Sequence, residues 1–163
     1  MLSIIHKGNI FDSECETLVC PVNCVGVMGR GLALSFKQAF PVFKWYKTLC
    51  NSEMLDVGNP VLYVQSDKPN ILLFPTKYHW KDPSRLMWII KGLENLFNPY
   101  PKGKVGFDVD SRKRPEYSFL KSVAFPALGC GCGGLSWEFV RPIMFNYLRP
   151  AKSNIEIYAP YGR

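Results

Sequence analysis

The run Gly129-Cys130-Gly131-Cys132-Gly133-Gly134 follows the apolar stretch Ser122-Val123-Ala124-Phe125-Pro126-Ala127-Leu128 and precedes Leu135 and Ser136. Four of its six residues are glycine. A strand that empties into bare backbone, with Ser136 then in a helix N-cap position, lets main-chain N–H groups approach a phosphate with no side chain in the way. A plain turn between two elements needs one or two glycines, not four. A second cluster, Gly26-Val27-Met28-Gly29-Arg30-Gly31, again lies between a strand-like and a helical run. Two such loops imply a ligand whose diphosphate is held from two sides.

Other chemistry-bearing residues read less sharply. Asn23, at a strand end beside the first glycine cluster, can read ribose hydroxyls through its amide, or simply form a turn. Lys77 follows the buried stretch Leu72-Leu73-Phe74-Pro75 and precedes Tyr78-His79-Trp80. By residue type alone such a lysine is a solvated surface charge. His79 fits a general acid, a nucleic-acid contact or an ordinary surface histidine, the last being the commonest. Tyr158 and Tyr161 could stack on a purine, although aromatics on a last strand more often pack in the core. The six cysteines (15, 20, 24, 50, 130 and 132) form no Cys-x-x-Cys and accompany no zinc-spaced histidine pair. No metal or cofactor is expected, and free thiols are.

These groups need a frame. At 163 residues the chain reads as one domain with a sizeable core, and 47% hydrophobic against 20% charged residues is ordinary for a soluble protein. No apolar run reaches membrane-spanning length and the N-terminus lacks a signal-peptide layout, so no membrane contact and a cytoplasmic location are expected. The net charge of +7 favours a polyanionic partner, though weakly.

Strands are predicted at Ser3–His6, Thr17–Val22, Val61–Gln65, Ile71–Phe74, Val123–Ala127 and Asn154–Ala159. Helices are predicted at Gly31–Phe40, Val42–Cys50, from a Ser84 cap with Leu86, Ile90, Leu93 and Phe97 on one face, and at Ser136–Leu148. Pro142 should bend that last helix or restart it. The alternation predicts an α/β sandwich around a mostly parallel sheet, with both glycine loops at carboxyl ends of strands, where such sheets bind ligands.

With the loops so placed, the chain resembles a macrodomain, the three-layer α/β/α module that binds ADP-ribose. Gly8-Asn9-Ile10 resembles the opening Gly-Asp-Ile element that holds the adenine, with Asn9 in place of the aspartate. Pro21-Val22-Asn23-Cys24-Val25-Gly26 resembles the segment that contacts the distal ribose, and Gly129–Gly134 the diphosphate loop. Gly26–Lys37, Phe74–Trp80 and Pro126–Trp137 resemble the DarG-type antitoxin branch, which removes ADP-ribose from thymidine bases of DNA and is related to the human terminal ADP-ribose glycohydrolase. The resemblance implies a mixed, mostly parallel sheet and hydrolysis of an ADP-ribosyl linkage on single-stranded DNA by a monomer. A non-catalytic reader and an ADP-ribose 1″-phosphate phosphatase are the alternatives.

It places Lys77 in the catalytic lysine's position. The ADP-ribose contacts it implies are Asn9, Ile10, Asn23, Gly26, Val27, Met28, Gly29, Gly31, Leu32, Thr76, Ala127, Leu128, Gly129, Cys130, Gly131, Cys132, Gly133 and Gly134. The human relative's loop aspartate corresponds to Gly133, where the antitoxin branch also has glycine.

Residues 98–121 stand outside the resemblance, as a basic insertion in a single domain spanning 1–163. They interleave Lys102, Lys104, Arg112, Lys113, Arg114 and Lys121 with Phe107, Tyr117 and Phe119, a mixture that suits a nucleic-acid contact, a lid or a solvated loop. Should they contact DNA, replacing Arg112, Lys113 and Arg114 by alanine lowers the log-affinity against log-salt slope on single strands by roughly 0.7 for each phosphate no longer neutralised. Free ADP-ribose binding should not change, and titrations at several salt concentrations read both quantities.

Overall fold

A computed structural model describes residues 1–97 and 120–161 of the chain. Of the basic segment expected at 98–121, all but Leu120 and Lys121 therefore lie outside the described residues. Leu120 is buried, and the Lys121 carbonyl accepts from the Asn154 N–H at 2.8 Å, so the end of that segment already belongs to the sheet.

Six strands form the sheet: β1 (Leu2–Ile5), β2 (Thr17–Val22), β3 (Val61–Tyr63), β4 (Asn70–Pro75), β5 (Ser122–Pro126) and β6 (Asn154–Tyr158). Their order is β1-β6-β5-β2-β4-β3, with every pairing parallel except the antiparallel β3–β4 edge. Thr17 pairs with Asn70 on one side and Val123 on the other, which makes β2 a central strand. Parallel strands are covered on both faces, and the sequence of β2, Thr-Leu-Val-Cys-Pro-Val, is accordingly an almost unbroken buried run.

Within these runs successive side chains enter opposite cores, as strand geometry requires. Val19, Leu72, Phe74, Val123, Phe125, Ile155 and Ile157 pack with α3 (Leu86–Phe97) and α4 (Trp137–Leu148). Leu18, Cys20, Val22, Ile71, Leu73 and Ala124 pack with α1 (Gly31–Ala39) and α2 (Phe43–Asn51). Two cores separated by one sheet give the three-layer α/β/α arrangement expected. Each fully buried aliphatic or aromatic side chain stabilises it by roughly 1.5–3 kcal/mol. No helix among the described residues is long and apolar enough to cross a membrane.

Two local expectations change, and a third narrows to one of its two alternatives. The buried face of α3 carries Ile89, Leu93 and Leu96, whereas Ile90 is half-buried. Apolar residues border this stripe on both sides, so periodicity fits either phase; contact with the sheet selects one. Ser84 does not cap α3. The first turn bonds to the Arg85 carbonyl, while the Ser84 N–H donates to the Gly133 carbonyl at 2.9 Å and its hydroxyl is buried with no hydrogen-bond partner among the described residues. Finally, α4 runs through Pro142 without a restart. Pro142 and Glu138 are both exposed, so the carbonyl that proline leaves without a donor is on the solvent side.

The selected phase of α3 depends on Gly92. A Cβ there would lie 2.3 Å from the ring of Phe74, a side chain of zero exposure in the core. Glycine to alanine inside a helix ordinarily stabilises by up to about 1 kcal/mol. Gly92→Ala should invert that sign and cost about 1–3 kcal/mol, because neither the ring nor the helix can yield. Urea unfolding reads the difference, with the exposed Met87→Ala on the same helix as a control expected to stay within about 0.5 kcal/mol.

Candidate functional site

The five parallel strands all end on one edge of the sheet, and the segments that follow them build a site there. A cleft of about 740 Å³ opens beside β1, β6 and α1, lined by Gly8, Asn9, Ile10, Phe11, Leu32, Pro126, Tyr158 and Tyr161 among others. The Asn9 side chain accepts from the Phe11 N–H at 3.1 Å and so caps the short 3₁₀ turn Ile10–Asp12, which buries Ile10. Tyr158 donates to Glu156 at 3.0 Å, and the exposed Tyr161 donates to the Gly8 carbonyl at 2.6 Å. Both tyrosines thus line the cleft, although residue type on a last strand favours core packing.

The first glycine loop is braced from within. Asn23 is 6% exposed; its Nδ2 donates to the Val27 carbonyl at 2.7 Å, and its Oδ1 accepts from the Val25 and Val27 N–H groups. The Tyr46 hydroxyl lies 2.8 Å from the same Oδ1 and 2.9 Å from the Asn23 carbonyl, sharing its proton between them. Burial drives the Tyr46 pKa far above the phenol range, so it remains a neutral donor. Much of the Asn23 amide is therefore spent on shaping the loop, leaving one Nδ2 proton for a ligand. The Met28 side chain is core at 2% exposure, so only its backbone is available to a ligand. Beyond the loop, α1 begins at Arg30 with no side-chain cap and no acidic residue in its first turn. Its unfilled N–H groups present a partial positive charge at the site.

The second loop is a pair of tight turns, with Cys130 N–H bonded to Ala127 and Gly134 N–H to Gly131. The N–H groups of Gly131 and Cys132 find no acceptor among the described residues. Here, too, the helix that follows, α4, starts without a side-chain bond from Ser136. The loops meet: a Cβ on Gly31 would lie 3.3 Å from the Cys132 sulfur.

Lys77 links this loop to β4. It is 7% exposed, and its Nζ donates to the Trp80 carbonyl at 3.0 Å and the Cys132 carbonyl at 3.1 Å. Among the described residues no carboxylate pairs with it. It is not the solvated charge that its residue type alone favours. Thr76, also buried, donates its N–H to Val22, and the Cys24 N–H donates to Tyr78, so the segment after β4 is joined to the one after β2. Lys77 thus lies buried beside the second loop, whose Gly131 and Cys132 N–H groups have no acceptor among the described residues.

A family model for the macro domain matches residues 19–144. The chain belongs to the macrodomain family. The macrodomain is 35% identical over 161 residues to a DNA ADP-ribosyl glycohydrolase of Mycobacterium tuberculosis, covering 96% of this chain and 42% of that protein. It superposes on the macrodomain of M. tuberculosis DarG with a TM-score of 0.82 at 32% identity, covering 98% of each chain. It also superposes on Thermosipho africanus DarTG in complex with ADP-ribose, with a TM-score of 0.82 at 36% identity, covering 99% of this chain and 42% of the other. The macrodomain spans about two-fifths of the length of the curated relatives it matches.

The two central glycines of the diphosphate-loop motif differ in kind. Among the described residues a Cβ on Gly131 would meet no heavy atom within 4 Å, whereas one on Gly133 would lie 2.3 Å from the Ser84 hydroxyl and 2.5 Å from the Gly129 carbonyl. The motif suggests that Gly133 lies open against a phosphate; instead the protein's own packing fills its side-chain direction, leaving no room for an aspartate. Sequence offers no sign of Ser84 or Tyr46 here, because their contacts reach 49 and 23 residues along the chain. Cys24, beside Asn23, is no candidate nucleophile. Burial, with Cys50 and Asp56 adding to it, pushes its thiol up to about 12.

The two glycines should therefore fail in opposite ways. Gly131→Glu should leave stability within about 0.5 kcal/mol of wild type and weaken ADP-ribose binding at least about tenfold, by filling the donor loop with a like charge. Gly133→Ala should cost about 1–3 kcal/mol of stability through overpacking. Calorimetric titration and thermal melting on both variants separate the two effects.

Proposed function

We propose that this macrodomain binds ADP-ribose across the cleft and the two glycine loops and hydrolyses an ADP-ribosyl linkage, namely one to a thymidine base of single-stranded DNA. The observation that carries the reading is Lys77: a buried ammonium, tied to the diphosphate loop through Cys132 and supplied with no carboxylate among the described residues. Such a charge is costly to bury unless a ligand anion completes its pairing. The names of the M. tuberculosis and T. africanus relatives, with the complex of the latter, supply the substrate class.

In this reading the adenosine occupies the cleft beside Asn9, Ile10 and Leu32. The diphosphate accepts from Gly131 and Cys132 N–H groups and the start of α1, with Gly26, Val27, Gly29 and Gly31 opposite and Asn23 and Thr76 toward the distal ribose. The Lys77 ammonium must first release one proton to solvent; as the amine so formed it attacks the anomeric carbon. Its nitrogen bonds to that carbon, the bond to the base nitrogen breaks, and the proton lost by the amine goes to the base. Water then cleaves the lysine adduct, which releases ADP-ribose and regenerates the amine. Gly133 supplies no carboxylate to move protons, so solvent or the departing base must do so. We further read the chain as one domain across 1–163 with an insertion at 98–121, acting as a monomer in the cytoplasm, where its free thiols stay reduced.

A second reading, a reader without turnover, draws on the same tether, since two carbonyl bonds to Nζ favour an ammonium that only steers phosphate. Lys77→Ala and Lys77→Arg distinguish the two. Loss of ADP-ribose release from modified single-stranded DNA in both variants, with ADP-ribose binding kept in Lys77→Arg, supports a nucleophile. Wild-type release by Lys77→Arg would assign the residue to charge alone, and no release by the unaltered protein would favour the reader.

A further inference from the structure

Next to Lys77 the surface changes character. Tyr78 and Trp80 leave 47% and 48% of their area in solvent, an unusual exposure for two large aromatics. Tyr78 meets Trp88 edge-on at 5.4 Å between ring centroids, and His79 stacks on Trp80 at 5.5 Å. Cations lie over the same rings: Lys81 Nζ is 5.1 Å from the centre of Trp80, and the Arg85 guanidinium 5.1 Å from that of Trp88. The acids nearby are Asp82, in the turn after His79, and Asp56, whose bond to the Tyr78 hydroxyl holds that phenol above its ordinary pKa. The ridge is contiguous with the site, because the Trp80 carbonyl is one of the two acceptors of Lys77.

We infer that the ridge formed by Tyr78, Trp80 and Trp88, with Lys81 and Arg85, is a stacking platform for the nucleotides that flank a modified base in single-stranded DNA. The inference rests on the proposed DNA substrate and deepens it. The exposed rings of Tyr78 and Trp80 can stack with any base without selecting sequence, and Lys81 and Arg85, by leaving the ring faces they cover, can reach the phosphates between successive bases. A protein partner would need no such interleaving of charge and ring, and the bases of a duplex, already stacked on one another, cannot reach the rings. The position one residue beyond Lys77 places such contacts at the reacting end of the site, away from the adenosine cleft.

The test uses the whole chain and an unmodified oligothymidylate, followed by fluorescence anisotropy. Tyr78→Ala should weaken single-strand binding about tenfold, and Tyr78→Phe, which keeps the ring, should restore most of it. Lys81→Ala with Arg85→Ala should lower the salt slope by roughly 0.7 for each phosphate that the pair neutralises. Free ADP-ribose affinity should be unmoved in each, and a duplex of the same sequence should bind more weakly than the single strand. Unchanged single-strand affinity in Tyr78→Ala, or equal affinity for duplex, would overturn the platform even if the protein releases ADP-ribose from modified DNA. Loss of single-strand binding in Tyr78→Ala, in a protein that releases nothing from modified DNA, would keep the platform and remove the enzymatic reading.

Discussion

Five strands that run in one direction must leave all their carboxyl ends on one edge of the sheet, and nearly everything functional in this macrodomain follows from that constraint. Burial on both faces makes the sheet rigid, while the segments that leave its edge cannot continue the hydrogen-bond ladder. They therefore carry unpaired N–H groups wherever no side chain supplies an acceptor. Here the side chains that might have done so are missing at both critical places, since neither α1 nor α4 has a capping bond. The donors remain available to an anion, and the two loops stand close enough for Gly31 to face Cys132.

Within the loops, conformation and ligand access make separate demands. Gly129 and Gly134 adopt left-handed backbone, which bounds the turn at each end. Gly133 is small because Ser84 and the Gly129 carbonyl occupy its flank, whereas the side-chain direction of Gly131 is open among the described residues. One motif of similar letters thus contains residues retained for the protein's own packing and a residue whose smallness that packing does not require. The unpaired Ser84 hydroxyl is the cost of that close packing, since it takes the space of a side chain yet finds no acceptor.

Lys77 joins two segments of the site through one buried atom. Its bond to the Cys132 carbonyl fastens the second glycine loop to the segment after β4, and its bond to the Trp80 carbonyl closes that segment on itself. The exposed aromatics begin at the next residue, so the chain passes in one step from a buried lysine to rings left half in solvent. Asn23 behaves similarly on the other side, its amide divided between holding the loop through Val25, Val27 and Tyr46 and a single remaining proton.

Much of this is legible without coordinates. The apolar runs of the strands, the two glycine clusters and the motif around Lys77 are local features, and local chemistry specifies them; the strand expected at Thr17–Val22 has those bounds to the residue. The family's glycine loops and lysine can be placed because each sits directly beside a strand whose apolar run announces it. What the tertiary structure alone decides depends on contacts between residues far apart in sequence. The phase of α3 is ambiguous by one residue until Phe74 meets Gly92, and Ser84 looks like a helix cap until the Gly133 carbonyl claims its N–H. Whether Lys77 is solvated or buried cannot be read from its neighbours, because the carbonyl that holds it comes from a loop 55 residues later. Periodicity and residue type report what one segment prefers; burial, partner and spare proton are properties of what the fold brings against it.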